Sequence, residues 1–296
     1  MTVIRNPTSG RGSGQRSWPR IEALLEPHRR EWEIEEATTT PGATTALAEN
    51  AVKHGSDVVV ACGGDGTLMQ VASALVGTGV TFGMVPLGTG NDFCRTLGLG
   101  TDVDLAVSTL FEGEEQSVDV GRWDCEGRTG IFLNIAGSGF DAAVAERINA
   151  GYRFLRGTPA YLAAVFETLI TFRGTRFRVC IDEETCDTDA MLCAVANAQS
   201  YGGGMRVAPD AEIDDGLFDV VVVERVGRVE FMRTLPKVFH GAHKTHPKVR
   251  IFRGCKVSIE SDRPLLVLAD GEKIGSTPVS FAMEPRALKI LRPKRP

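Results

Sequence analysis

Asp65 sits in the run Gly63-Gly64-Asp65-Gly66-Thr67, directly after Val58-Val59-Val60-Ala61-Cys62. The β-branched run has the composition of a buried parallel strand, and Leu68, Val71, Ala72 and Leu75 then recur at helical spacing. A glycine loop between strand and helix sets backbone N–H groups and a helix N-terminus where phosphates bind in open α/β sheets. Glycine lets the backbone approach a phosphate with no side chain between. A carboxylate there is no phosphate ligand by itself, but it suits a magnesium ion or a hydroxyl that must be oriented or deprotonated. The plain alternative is a tight turn with no ligand. Neither the Gly-x-x-x-x-Gly-Lys-Ser/Thr loop nor a Gly-x-Gly-x-x-Gly helix opening is present.

Two further loops share this chemistry. Asn6-Pro7-Thr8-Ser9-Gly10-Arg11-Gly12-Ser13-Gly14 follows the short strand Thr2-Val3-Ile4, and its hydroxyls, amide and guanidinium can hold phosphate oxygens. Leu87-Gly88-Thr89-Gly90-Asn91-Asp92 follows a strand over residues 81–86. Between them, a strand over residues 32–37 ends in Thr38-Thr39-Thr40-Pro41-Gly42. Helical spacing is expected over residues 18–25, 43–54 and 68–76. Strands and helices that alternate over residues 1–110 imply an α/β unit with a parallel sheet. Loops after successive parallel strands leave on one edge, so the four polar loops should line a common crevice.

After residue 117 the chain becomes a series of short strands, which implies a β-rich, antiparallel second unit. The boundary is expected near residues 115–125, giving units 1–118 and 119–296, with the last strand able to pack back on the first unit. Residues 137–141 read as a turn into a helix. Glu272 follows Asp270-Gly271 at the end of an apolar strand, where a turn can project a carboxylate into a cleft as a proton acceptor, or leave it in solvent beside Lys273. Asp214-Asp215-Gly216 suits a hard divalent ion or a simple acidic turn, and Asp119 is a further acidic candidate. His240, His243 and His246 are spaced for a helix, but Gly241 and Pro247 favour a solvated loop over a metal site. Arg147, Arg153, Arg156 and Arg173, interleaved with Tyr152, Phe154, Leu155, Tyr161 and Phe172, suit either an anionic bilayer or an ordinary helix surface.

Composition narrows the classes. With 296 residues, 43% apolar and 24% charged, the chain reads as a soluble globular protein of two domains. A net charge of −5 argues against general nucleic-acid binding. No apolar run approaches a spanning helix and the N-terminus reads as a strand, so a cytoplasmic protein is expected, with any membrane contact peripheral and reversible. The cysteines carry no Cys-x-x-Cys pair and read as reduced, mostly buried thiols.

The three glycine loops, taken with Asn134-Ile135-Ala136-Gly137-Ser138-Gly139-Phe140-Asp141, Ala208-Pro209-Asp210-Ala211, Asp214-Asp215-Gly216-Leu217 and Asp270-Gly271-Glu272, resemble the diacylglycerol kinase catalytic-domain family. That family includes bacterial lipid kinases and sphingosine and ceramide kinases, and the resemblance covers nearly the whole chain. It implies a phosphofructokinase- and NAD-kinase-like α/β domain, a β-sandwich domain, and an active site in the cleft between them. It implies ATP as donor, magnesium as cofactor and a lipid hydroxyl as acceptor. Matched position by position, the resemblance implies ATP contacts at Asn6, Pro7, Thr8, Ser9, Gly10, Thr38, Gly64, Asp65, Gly66, Thr67, Leu68, Met69, Gln70 and Thr89. It implies Glu272 as general base, with Asp65 orienting Mg-ATP or coupling it to the base. It implies a structural magnesium at Glu212, Asp215 and Leu217, partly through main-chain carbonyls. Met69-Gln70 departs from the family's usual Asn-Glu. The reading is a lipid kinase acting on a diacylglycerol-like or sphingoid lipid, with a homodimer left open. The alternatives are a soluble-acceptor kinase of the NAD-kinase type and a non-catalytic nucleotide- or lipid-binding regulator.

Overall fold

The computed structural model describes residues 1–151, 158–172 and 174–294. Strands Thr81–Pro86, Val58–Gly63, Thr2–Arg5 and Glu35–Thr38 lie side by side in that order, all parallel. Val58–Gly63 is buried along its full length, as its Val-Val-Val-Ala-Cys composition requires of a strand covered on both faces. The covering helices are Ser9–Leu25, Thr44–Lys53, Asp65–Leu75 and Val103–Glu112. The second strand is shorter than residues 32–37 would give, because Trp32 and Ile34 pack on the core from a preceding turn and pairing begins at Glu35.

The second half is an antiparallel sandwich whose core includes Phe132, Phe177, Phe218 and Phe281. Residues 137–139 are strand rather than turn: Ile135–Gly139 pairs with both Glu184–Ala196 and Leu266–Ala269. Glycine is needed there because a Cβ on Gly137 would stand 2.5 Å from the Cys193 carbonyl oxygen. The histidine segment leaves His240 exposed, as a solvated loop would, but not His243. Ala242–Thr245 is a 3-10 turn with His243 buried, its Nε2 2.9 Å from the Val207 carbonyl oxygen. Five cysteines are buried, only Cys255 is exposed, and all seven are free thiols.

The two halves share one sheet. Glu114–Cys125 pairs antiparallel with Val279–Arg292, whose far end runs parallel to Thr81–Pro86 through Lys289 and Ile290. Among the described residues no helix is long and apolar enough to cross a membrane.

Candidate active site between two cavities

The loops after the parallel strands border a polar cavity of about 550 Å³. Their contacts are mutual. Asn6 donates through Nδ2 to Thr67 Oγ1 (2.8 Å), the Gly64 amide donates to Ser9 Oγ (3.2 Å), and Ser13 Oγ donates to the Leu87 carbonyl (2.6 Å). Gly10 has φ 55°, and a Cβ on it would lie 2.2 Å from the Leu87 carbonyl oxygen, so only glycine closes this junction. Of the residues expected to touch a nucleotide, Asn6, Thr8, Ser9 and Gly10 line the cavity from the first loop. Gly64 to Thr67, Gln70 and Thr89 line it from the other two. Pro7, Thr38, Leu68 and Met69 do not. Leu68 is core, Met69 packs against the core, and Thr38 Oγ1 accepts from Arg5 Nε (2.7 Å). Thr39 and Thr40 line the cavity in place of Thr38, and the Thr39 and Thr44 hydroxyls bond each other at 2.7 Å. The polar run marked the loop, but only the strand register decides which threonine faces in.

Asp65 opens the helix Asp65–Leu75, and its carboxylate accepts from the amides of Asn91 (2.9 Å) and Asp92 (3.0 Å). A Cβ on Gly90 would fall 2.7 Å from Asp65 Oδ2, which accounts for that glycine. Asp92 in turn accepts from the Gly203 amide (2.9 Å) in the second half, so a chain of carboxylate–amide bonds ties the two halves at this point. Burial pushes the Asp92 carboxyl above its ordinary range, the Asp65 charge adds to this, and the amides of Gly202 to Gly204 oppose it.

Beyond Asp65 lies a second cavity, about 360 Å³ and mostly apolar, walled by Phe140, Val144, Ile148, Leu192, Phe231 and Leu235. Its polar lining is Asp65, Asp92, Asn134, Asp141, Tyr201, Thr234, His243, His246 and Asp270. Asn134 Oδ1 and Asp141 Oδ1 are buried with no hydrogen-bond partner. Asp270 accepts from the amides of Leu133 (2.7 Å), Asn134 (2.9 Å) and Ile135 (3.0 Å). Burial nonetheless pushes its carboxyl up to about 6, with the Asp65 charge contributing.

Asp141 is likewise pushed up to about 6 by burial, against the Ala142 amide and the Tyr201 hydroxyl. Between the ordinary carboxylate range near 4 and about 6, the native protein therefore holds a proton that the unfolded chain has released. Stability relative to Asp141→Asn is full below that window and falls as pH rises through it, by roughly 2–3 kcal/mol. Chemical denaturation of both proteins across pH 4–7 reads this difference; a difference independent of pH would show that Asp141 is not held protonated.

Glu272 is exposed at the start of the strand Glu272–Ser276, opposite Ala269. Asp270 (φ 45°) and Gly271 (φ 83°) form the two-residue hairpin turn before it. Asp270 and Gly271 line the apolar cavity, and Glu272 is not among its lining residues. Near the expected magnesium loop, Asp119 is fully buried and accepts from the amides of Gly216 (2.6 Å) and Arg286 (2.7 Å). Asp215 accepts from the Leu217 amide (3.0 Å) and pairs with Arg253, while Glu212 is exposed. Asp219 Oδ2 is buried without a hydrogen bond, 3.7 Å from Arg253 Nε. Burial raises the Asp219 carboxyl, Arg253 opposes, and Asp215, Asp210 and Glu212 raise it further. This excess of hard oxygen donors fits a magnesium ion. Among the described residues no three His, Cys, Asp or Glu side chains gather around one point, so main-chain carbonyls would have to complete the set. Arg147 pairs with Glu167 at 3.0 Å and Phe172 meets the Phe140 ring edge-on, whereas Tyr152, Arg153, Phe154, Leu155, Arg156, Arg173 and the Tyr161 side chain lie outside the described residues.

A polar cavity and a mostly apolar one thus meet at a single shared carboxylate, Asp65. The family model for the diacylglycerol kinase catalytic domain matches residues 1–123, and that for the YegS C-terminal NAD kinase beta sandwich-like domain matches residues 134–292. Mycobacterium tuberculosis (strain ATCC 25618 / H37Rv) has a protein named diacylglycerol kinase that is 32% identical over 99% of this chain and 95% of its own. One of the same name from Staphylococcus saprophyticus is 30% identical over 98% of this chain and 94% of its own. The chain belongs to the diacylglycerol kinase catalytic-domain family of lipid kinases. A crystal structure of a diacylglycerol kinase from Bacillus anthracis superposes with a TM-score of 0.75 over 98% of this chain and 96% of that one, and at 21% identity it speaks for the fold alone.

Proposed function

We propose that the protein transfers the γ-phosphate of ATP to the free hydroxyl of diacylglycerol or a closely similar lipid at a membrane surface. The observation that carries this reading is that Asp65 lines both the amide-rich cavity and the apolar one. Phosphates would lie against the amides and hydroxyls of Asn6, Thr8 to Gly10, Gly64 to Thr67 and Thr89, and acyl chains against Phe140, Val144, Phe231 and Leu235. An apolar wall of this kind offers nothing to the second nucleotide of NAD, which counts against the NAD-kinase alternative.

Phosphoryl transfer asks the protein mainly for position and charge neutralisation. The acceptor oxygen bonds to the γ-phosphorus, the bond from that phosphorus to the β–γ bridging oxygen breaks, ADP leaves, and the hydroxyl proton passes to a base. Glu272 takes that proton, on a hairpin whose position is fixed by the Asp270 clamp two residues earlier. Asp65, held by two amides, orients the donor. Magnesium would neutralise phosphate charge in transfer, and a structural ion would be held at Asp215, Glu212 and the Leu217 carbonyl. In a second reading Asp65 is itself the base, which is favoured by its place in both linings while Glu272 lines neither.

Transfer of labelled γ-phosphate from Mg-ATP is measured against diacylglycerol, ceramide, sphingosine and phosphatidylglycerol in mixed micelles, with NAD alongside. Diacylglycerol is expected to be labelled, and Glu272→Gln to lower kcat by about 10²–10⁴-fold with little change in KM. A Glu272→Gln rate within fivefold of wild type moves the base to Asp65. Label in NAD alone, or bound ATP without turnover of any lipid, overturns the reading.

A further inference from the structure

The strands Phe218–Glu224 and Val249–Gly254 run antiparallel and set Asp219 directly opposite Arg253. Side chains opposite each other across such a pair stand on one face, and opposite charges there attract. Arg253 nevertheless gives its hydrogen bond elsewhere. Its Nη2 pairs with Asp215, in the turn before the first of these strands, while its Nε stays 3.7 Å from Asp219 Oδ2. That oxygen is buried and accepts no hydrogen bond. A buried acceptor left without a donor is costly, and a charged one more so. The guanidinium therefore has two seats within reach, one filled and one open.

The filled seat is also one that a divalent ion would use. Asp215 and the main-chain carbonyls beside it are the hard donors of the proposed structural magnesium site. Glu212, Asp214, Asp215 and Asp219 put four acids within eight residues, and among the described residues Arg253 makes every ion pair that these four have. Asp214 accepts from the Gln116 side-chain amide (2.8 Å), and Glu212 is exposed. Asp215 Oδ1 accepts from the Leu217 amide, which leaves Oδ2, the oxygen that Arg253 holds, for a metal ion. An ion and a guanidinium on the same carboxylate would stand close enough to repel each other strongly.

We infer that Arg253 is the resident counter-cation of this loop and yields it to magnesium: as the ion takes Asp215, the guanidinium crosses to Asp219 on the facing strand. The inference rests on the proposed structural ion and not on the transfer reaction. It makes that ion exchangeable. With Arg253 on Asp215 the acidic turn keeps a cation when magnesium is scarce, and with Asp219 as the second seat the displaced charge is not stranded. Arginine suits both seats, because its planar fork carries donors on more than one edge.

Magnesium binding to the full chain is measured by titration calorimetry without nucleotide, for wild type, Arg253→Gln, Asp219→Asn, the double variant and Asp215→Asn. Asp215→Asn is expected to abolish binding at the loop. Arg253→Gln, freed of the competitor, is expected to bind about tenfold more tightly than wild type. Asp219→Asn, with no second seat, is expected to bind about fivefold more weakly, yet to change the affinity by less than about twofold in the Arg253→Gln background. That non-additivity is the mark of exchange. A plain change of local charge gives Asp219→Asn the same effect in both backgrounds, and that result overturns the inference. So does an Arg253→Gln affinity equal to or weaker than that of wild type. Thermal unfolding in EDTA and in excess magnesium reads the same exchange: Arg253→Gln is expected to lose stability in EDTA and regain it with magnesium, and wild type to move less. Should Arg253→Gln fold in neither buffer, Asp219→Asn decides alone, and an affinity equal to wild type overturns the inference. No magnesium binding in any of these proteins overturns the structural ion and the exchange with it, and leaves the transfer reading standing. Binding that Asp215→Asn abolishes but that ignores Arg253 and Asp219 keeps the ion and overturns the exchange alone.

Discussion

Asp65→Asn lowers kcat by about a thousandfold while the protein stays folded; this is the expected result for a carboxylate lost from the junction of two substrate cavities. Two consequences add. The charge that orients the donor disappears. One of the two amides now held, Asn91 or Asp92, then faces an –NH₂ group instead of an acceptor oxygen. The loop from Gly88 to Asp92 keeps its own internal bonds, in which Asn91 Oδ1 accepts from the Gly88 amide (3.0 Å) and Asn91 Nδ2 donates to the Gly88 carbonyl (2.9 Å). The stability cost should therefore stay near 1–3 kcal/mol, the penalty of one unsatisfied buried group. Steady-state kinetics with Mg-ATP and a micellar lipid, and thermal unfolding of the same sample, separate the two effects. A kcat within tenfold of wild type would remove Asp65 from the centre of the site.

Asp270→Ala should have the largest effect on stability. The amides of Leu133, Asn134 and Ile135 would all lose their acceptor at once, in a corner that Asn197 also holds through Nδ2 bonds to the carbonyls of Leu133 (2.8 Å) and Asp119 (3.1 Å). At roughly 1–3 kcal/mol for each stranded group, less the relief of no longer burying a carboxyl, the net loss is about 3–5 kcal/mol. That corresponds to a fall in Tm of roughly 10 °C for a chain of this size. Activity should fall with it, since the same turn leads into Glu272 and Asp270 itself lines the apolar cavity. A Tm within about 2 °C of wild type would mean that the three amides find other acceptors and that the clamp does not hold the turn.

Much of the first half was legible in the residues, because its information is local. A buried β-branched run, a glycine loop and a helical repeat specify a strand, a turn and a helix without reference to distant residues. Parallel order then carries the polar loops to one edge, and Gly64 to Thr67, Asn6 and Thr89 do line one cavity. The family also followed from motifs in order along the chain.

Local signals went astray where long-range pairing overrides composition. Gly137 and Gly139 read as turn residues, but they sit in a strand because neighbouring backbones pass too close for a Cβ. Asp119 was a further acidic candidate, and the two amides far along the chain that it accepts from are partners no local pattern announces. His243 read as solvated and is buried against Val207. The sequence alone therefore determined the element types, the glycine loops and the family, since these depend on neighbours a few residues apart. Only the tertiary structure decided that Asp65 joins two cavities, that Phe140, Leu192 and Phe231 make one of them apolar, and that one helix both walls it and bares Val229 and Met232. Those facts depend on which faces of remote segments are pressed together, and that is fixed by sheet register and packing rather than by any local pattern.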